Sequence, residues 1–162
     1  MPNKAKPIPE GYHTVTPYLI VDGGVAALDF YKKAFGAKEI FRFPMPNGKL
    51  GHAEIKIGDS HIMLADEPDG PMADTPDHQV FKSPKASGRT GVGICLYVED
   101  VDALAKQAVA AGARELRAVT NQFYGDRSGT YLDPFGHVWT LSTHVEDVPP
   151  EEMMKRAQQQ GH

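Results

Sequence analysis

Residues 25–39, VAALDFYKKAFGAKE, return in altered form 76 positions later as residues 101–115, VDALAKQAVAAGARE. Val25, Ala27, Leu28, Ala34, Gly36, Ala37 and Glu39 face identical residues at Val101, Ala103, Leu104, Ala110, Gly112, Ala113 and Glu115, and Lys38 faces Arg114. Each copy has the apolar spacing of an amphipathic helix and stops at a glycine, the residue best suited to a left-handed C-terminal cap. A short apolar strand precedes each helix, Tyr18–Val21 and Ile94–Val98. Three β-type stretches follow each: 39–43, 51–57 and 60–65 in the first copy, then 115–119, 127–132 and 137–143 in the second. The order strand, helix, three strands therefore occurs twice, the mark of a duplicated unit.

The remaining chain reads as connections. Residues 1–15 form an arm, in which Pro2, Pro7 and Pro9 oppose helix. Residues 67–90 carry four prolines and two glycines and read as a linker between modules at 16–66 and 91–146. The tail, 147–162, contains a helix from Glu151 to Gln160 with acids at its positive end. Seventeen basic and 21 acidic side chains leave a net charge of −4, which opposes nucleic-acid binding. No apolar run approaches the ~20 residues of a membrane span, and no apolar stretch follows the basic N-terminus, so a cytoplasmic protein is expected. Cys95 is the only cysteine, which excludes an intrachain disulfide. It sits in an apolar run and reads as a small buried hydrophobe.

The stretches Thr16-Pro17-Tyr18-Leu19-Ile20-Val21 and Asp29-Phe30-Tyr31-Lys32-Lys33-Ala34-Phe35-Gly36-Ala37 resemble the vicinal oxygen chelate superfamily of glyoxalases, bleomycin-resistance proteins and extradiol dioxygenases. Gly51-His52-Ala53-Glu54-Ile55, Tyr124-Gly125-Asp126-Arg127 and Asp133-Pro134-Phe135-Gly136-His137-Val138-Trp139 resemble its PhnB-like branch. The likeness runs from about Thr16 to Val148. It implies an α+β fold of two βαβββ modules, with curled mixed sheets around a shared cavity, often in a homodimer. It also implies a divalent metal held by His and Glu on four strands. The corresponding positions hold Thr16, Met63, Gly93 and Thr140, none of them a usual ligand for such an ion. No metal or other cofactor is therefore expected.

Strand alternation suggests what else faces the cavity. A turn at Gly58-Asp59-Ser60 pairs Lys56 with His61 or Met63, and either register puts His52, Glu54, Lys56, His61 and Met63 on one face. A partly solvated polar face would look the same. His61 lies some four residues along from His52, ~13 Å at 3.3 Å per residue, too far for both to hold one ion. In the second module, a turn at Asp133-Pro134-Phe135-Gly136 pairs Leu132 with His137, Tyr131 with Val138 and Arg127 with Ser142. Arg127, Tyr131, Val138 and Thr140 then face the cavity and Trp139 faces the core, unless a bulge changes the parity. Arg127 suits a carboxylate or phosphate, with Tyr124 or Tyr131 stacking nearby, or else an ion pair with Asp126 or another surface acid. His137 and His144 read as ordinary strand-end residues.

The expected ligand-contacting set is Thr16, Tyr18, His52, Glu54, Met63, Tyr124, Arg127, Tyr131 and Thr140, with His52 and Glu54 as the candidate acid–base pair. The leading expectation is metal-free binding of a small organic molecule. The alternatives are a lyase or isomerase, with relocated metal ligands or with metal-free catalysis by Glu54 and His52, and a dimeric interaction module with a filled cavity. Exposed sheet edges favour a homodimer in each case.

Overall fold

The computed structural model describes residues 5–160 and divides into two units, 1–89 and 90–162. The first four residues of the arm and the last two of the tail lie outside the described residues. Each unit contains one four-stranded mixed sheet with a helix on one face, so the fold is α+β with the expected strand–helix–three-strand order twice.

In the first unit, β1 (Tyr18–Val21) leads into α1 (Gly24–Phe35), followed by β2 (Lys38–Pro44), β3 (Leu50–Ile57) and β4 (Ser60–Asp66). The sheet order is β1-β4-β3-β2, with β1 parallel to β4 and the other pairs antiparallel. α1 buries Ala27, Leu28, Phe30, Tyr31, Ala34 and Phe35, and the strands bury Ala53, Ile55, Ile57, Ile62 and Leu64 on alternate positions. Large apolar side chains moved out of water in this way stabilise by roughly 1.5–3 kcal/mol each. β3 and β4 are joined by a two-residue loop, Gly58-Asp59, since Ile57 pairs with Ser60. Gly58 takes the positive φ of 57° that so tight a hairpin demands. Lys56 therefore opposes His61, the first of the two expected registers. The segment after β4 forms short helices rather than a plain linker: a 3₁₀ turn at Gly70–Asp74, α2 (Pro76–Val80) and α3 (Pro84–Ser87).

Asp66, at the end of β4, ties this unit's corners together. Its Oδ1 accepts from the amides of Gly23 and Gly24 at 2.8 and 2.9 Å, and its Oδ2 from that of Leu50 at 2.8 Å. A buried carboxylate is tolerable where backbone N–H groups satisfy it in this way.

The second unit runs β5 (Gly93–Tyr97), α4 (Val101–Ala111), β6 (Arg114–Asn121), β7 (Asp126–Leu132), β8 (Val138–His144) and α5 (Pro150–Gln159), with sheet order β5-β8-β7-β6. Its hairpin departs from the expected pairing. Gly136 enters the left-handed region at φ 89° and adds one residue to the β7–β8 turn, so Leu132 pairs with Val138, Tyr131 with Trp139 and Arg127 with Thr143. This one-residue shift moves Arg127 and Tyr131 to the side of the sheet that carries Trp139 and Leu141. Trp139 is buried, as expected. Cys95 is exposed on β5, contrary to expectation, because strand alternation turns it away from the helix-covered face.

Asp133 organises the turn by accepting from the amides of Phe135 and His137, both at 2.9 Å, and from Trp139 Nε1 at 3.0 Å. Asp133→Ala strands these three buried donors and should destabilise the protein by about 3 kcal/mol in urea unfolding, with Asp133→Asn intermediate. Equal stability of the Ala variant and the parent would contradict the assigned role.

Candidate ligand-binding site

The face of the first sheet opposite α1 collects a polar and aromatic group of side chains. Pairing of Glu54 with Met63, Tyr18 with Met63, Phe41 with Glu54 and Phe43 with His52 brings four strands to one patch. Four polar groups on it form a chain. Tyr18 Oη lies 2.8 Å from His52 Nδ1, His52 Nε2 lies 3.1 Å from Glu54 Oε1, and the Tyr12 hydroxyl donates to Glu54 Oε2. In the tautomer whose Nε2–H donates to the Glu54 carboxylate, Nδ1 accepts from the Tyr18 hydroxyl. Burial raises the pKa of the Tyr18 hydroxyl above its ordinary value. Tyr12 also stacks on His61, with ring centroids 4.0 Å apart, and His61 Nδ1 donates to the carbonyl of Gly11 at 3.0 Å.

Beside this chain lies a cavity of about 440 Å³ within the first unit. Tyr18, Ile20 and Ala65 line it from β1 and β4, Phe43 and Met45 from β2 and its turn, and Met72 and Phe81 from the segment after β4. Tyr18 and Phe81 meet edge to face at 5.8 Å. Apolar walls with a few polar groups within reach are the usual construction of a small-molecule site.

The expected residues divide accordingly. Tyr18, His52, Glu54 and Met63 share the open face of the first sheet, and Thr16 lies just before β1, its hydroxyl 3.5 Å from the carbonyl of His13. The second-module residues are not brought together. Arg127 forms a two-pronged ion pair with Asp102 of α4, both contacts at 2.7 Å, which holds the Asp102 carboxyl below its ordinary pKa. Tyr131 is buried and donates to Glu115 at 3.3 Å. Thr140 faces the other side, and the Tyr124 hydroxyl lies 3.5 Å from Ser128 Oγ. Tyr12, Met72 and Phe81 were not expected at a site; they come from proline-rich segments without strand or helix periodicity.

The metal implied by the resemblance does not fit the residues present. Thr16 and Met63 in the first unit, like Gly93 and Thr140 in the second, offer no imidazole or carboxylate. His52 and Glu54 are bonded to each other and His61 to a carbonyl, so these three form no ligand set. Among the described residues no group of three or more His, Cys, Asp or Glu side chains is arranged to hold a metal ion.

A second polar cluster lies in the second unit. Asp126 accepts from the Tyr97 hydroxyl at 2.7 Å and lies 2.8 Å from His144 Nδ1, whose Nε2 lies 2.8 Å from Asp147. The bond to Asp126, with burial, pushes the Tyr97 hydroxyl up to about 12.

The model of the Glyoxalase/Bleomycin resistance protein/Dioxygenase superfamily matches residues 12–141, and the chain belongs to that superfamily. An uncharacterised protein of Mycobacterium tuberculosis is 42% identical over 149 residues, 91% of this chain and 84% of the relative. The fold is also that of TioX from Micromonospora sp. ML1, at TM-score 0.63 and 22% identity, covering 82% of this chain and 99% of TioX. It is likewise that of the PhnB protein from Bacillus cereus, at TM-score 0.60 and 15% identity, covering 81% and 99%.

The two carboxylates beside His144 raise its pKa above the ordinary 6.5, the Asp126 bond most strongly and the Asp147 bond next. The doubly protonated ring can donate to both. Its contribution to stability should therefore be complete below pH 6.5 and fade as pH rises through the raised value. Melting temperatures measured across this range should show that decline in the parent and a flatter profile in His144→Gln. Identical profiles would contradict the clasp.

Proposed function

We propose that this protein binds a small organic molecule on the open face of its first sheet, without the metal its superfamily commonly uses. The observation that carries this reading is the 440 Å³ cavity under Phe81 and Met72, with the Tyr18–His52–Glu54–Tyr12 chain at its side. The walls supply apolar contact and the Tyr18 ring links them to the polar chain. Thr16 and Met63, standing where a ligand to an ion is expected, support the metal-free part.

A specific observation favours a second reading, proton transfer by His52 and Glu54. The imidazole and carboxylate are hydrogen bonded in line, with Tyr18 at the far ring nitrogen, the arrangement of an oriented general base. Relocated metal ligands draw no such support.

The neutral fluorescent probe N-phenyl-1-naphthylamine tests the first reading. It should bind with saturable enhancement, and Phe81→Ala should weaken it by roughly tenfold through lost aromatic contact. Glu54→Gln should leave it almost unchanged. Absence of saturable binding, or equal affinity in Phe81→Ala, would refute the cavity as the site. For the second reading, hydroxyacetone protons should exchange into deuterated water in a Glu54-dependent way; exchange no faster than in buffer removes it.

We also infer a homodimer. β2 is a sheet edge with exposed Ile40, Phe41 and Phe43, and an open apolar edge invites pairing with another copy. Sedimentation at micromolar concentration should give twice the mass of the 17.7 kDa chain, and a single monomer boundary would contradict this.

A further inference from the structure

We infer that the ligand of the first-unit cavity is an organic cation with a flat apolar body; this rests on the binding reading above and names its chemical class. The argument begins with the charges on the lining. Asp66, Glu67, Asp69 and Asp77 supply four carboxylates, and Lys49 the one ammonium. That ammonium is already engaged: Lys49 Nζ lies 2.7 Å from Asp69 Oδ1 and 3.2 Å from the carbonyl of Glu67, and the bond to Asp69 raises its pKa. An anionic ligand would find no cation to meet it.

The carboxylates are not equally satisfied. Glu67 accepts from the amide and hydroxyl of Ser83 and lies 3.6 Å from Lys82. Asp69 is paired with Lys49 and Asn47. Asp66 is hydrogen bonded by backbone N–H groups and makes no direct ion pair among the described residues, and it shares the one Lys49 ammonium with Asp69 through space. Asp77 is largely exposed and lies 3.5 Å from the His78 ring, with no Lys or Arg among the described residues paired to it. The cavity thus keeps a negative potential that a cation can relieve.

The second element is aromatic. Tyr18, Phe43 and Phe81 present rings to the same space, and Met45 and Met72 add polarizable thioethers. Ring faces attract cations within about 6 Å of their centroids, and the effect grows where water is excluded. They also stack on the flat body of an aromatic ligand. Acids alone would favour any solvated cation and rings alone any apolar molecule. Together they select a molecule with both properties.

Three acridines of nearly equal shape separate charge from shape: 9-aminoacridine as the cation, acridine as the neutral form and acridine-9-carboxylate as the anion. Their affinities for the full-length protein are read by fluorescence titration at neutral pH. The cation should bind roughly tenfold more tightly than acridine and the carboxylate more weakly than both. Phe81→Ala should weaken all three, whereas the double variant Asp69→Asn, Asp77→Asn should weaken the cation selectively and flatten its salt dependence. A carboxylate that binds as tightly as the cation overturns the ligand class while leaving the binding reading in place. Cation affinity unchanged in Phe81→Ala means general attraction to an acidic surface and also overturns the inference. Failure of all three to bind, with N-phenyl-1-naphthylamine also unbound, overturns the binding reading itself; if that probe still binds, the inferred class alone fails.

Discussion

Strand parity controls which side chains each module can offer. In a β-strand a shift of one residue exchanges the two faces, so each hairpin turn decides the chemistry available beside it. Gly58 closes β3 and β4 with a two-residue loop, and from that register His52, Glu54 and Met63 lie away from α1. Gly136 adds a residue to the equivalent turn in the second unit, and from that register Arg127 and Tyr131 lie toward α4. Two similar sequences thereby reach different ends. One module exposes an imidazole–carboxylate pair, and the other spends its guanidinium on a structural ion pair.

The polar groups of the first module's open face serve one another. Glu54 receives Tyr12 and His52, and His52 receives Tyr18. Such mutual satisfaction lets half-buried polar atoms stand beside an apolar cavity without leaving unmet hydrogen-bonding capacity, and among the described residues no buried side-chain N or O lacks a partner. It also fixes the ring of Tyr18, which belongs both to the chain and to the cavity wall. Asp66 performs a quieter task behind this wall, gathering the start of α1 and the start of β3 onto the end of β4.

Much of the architecture was legible in the sequence because helix and strand periodicities are strong signals there. The glycines at 36 and 112 do terminate the two long helices, and the alternation through Gly51–Ala65 correctly separated Ala53, Ile55 and Ile62 from His52, Glu54 and His61. The second hairpin was harder, since Asp133-Pro134-Phe135-Gly136 suits both a turn with Leu132 opposite His137 and one with a left-handed bulge residue. Local composition does not choose between them. Cys95 was misplaced for a related reason: a continuous apolar run hides which alternate positions are covered. Tyr12 and Phe81 lie in proline-rich stretches whose positions depend on tertiary packing, so no local pattern could assign them to the site.

The most direct test of the account is a crystal structure of the protein grown with N-phenyl-1-naphthylamine. The account predicts density for the probe enclosed by Tyr18, Phe43 and Phe81, with the His52–Glu54 pair intact and no metal ion between them. A structure in which Phe81 closes onto Phe43 and leaves no space, or in which a divalent ion sits on His52 and Glu54, would contradict it.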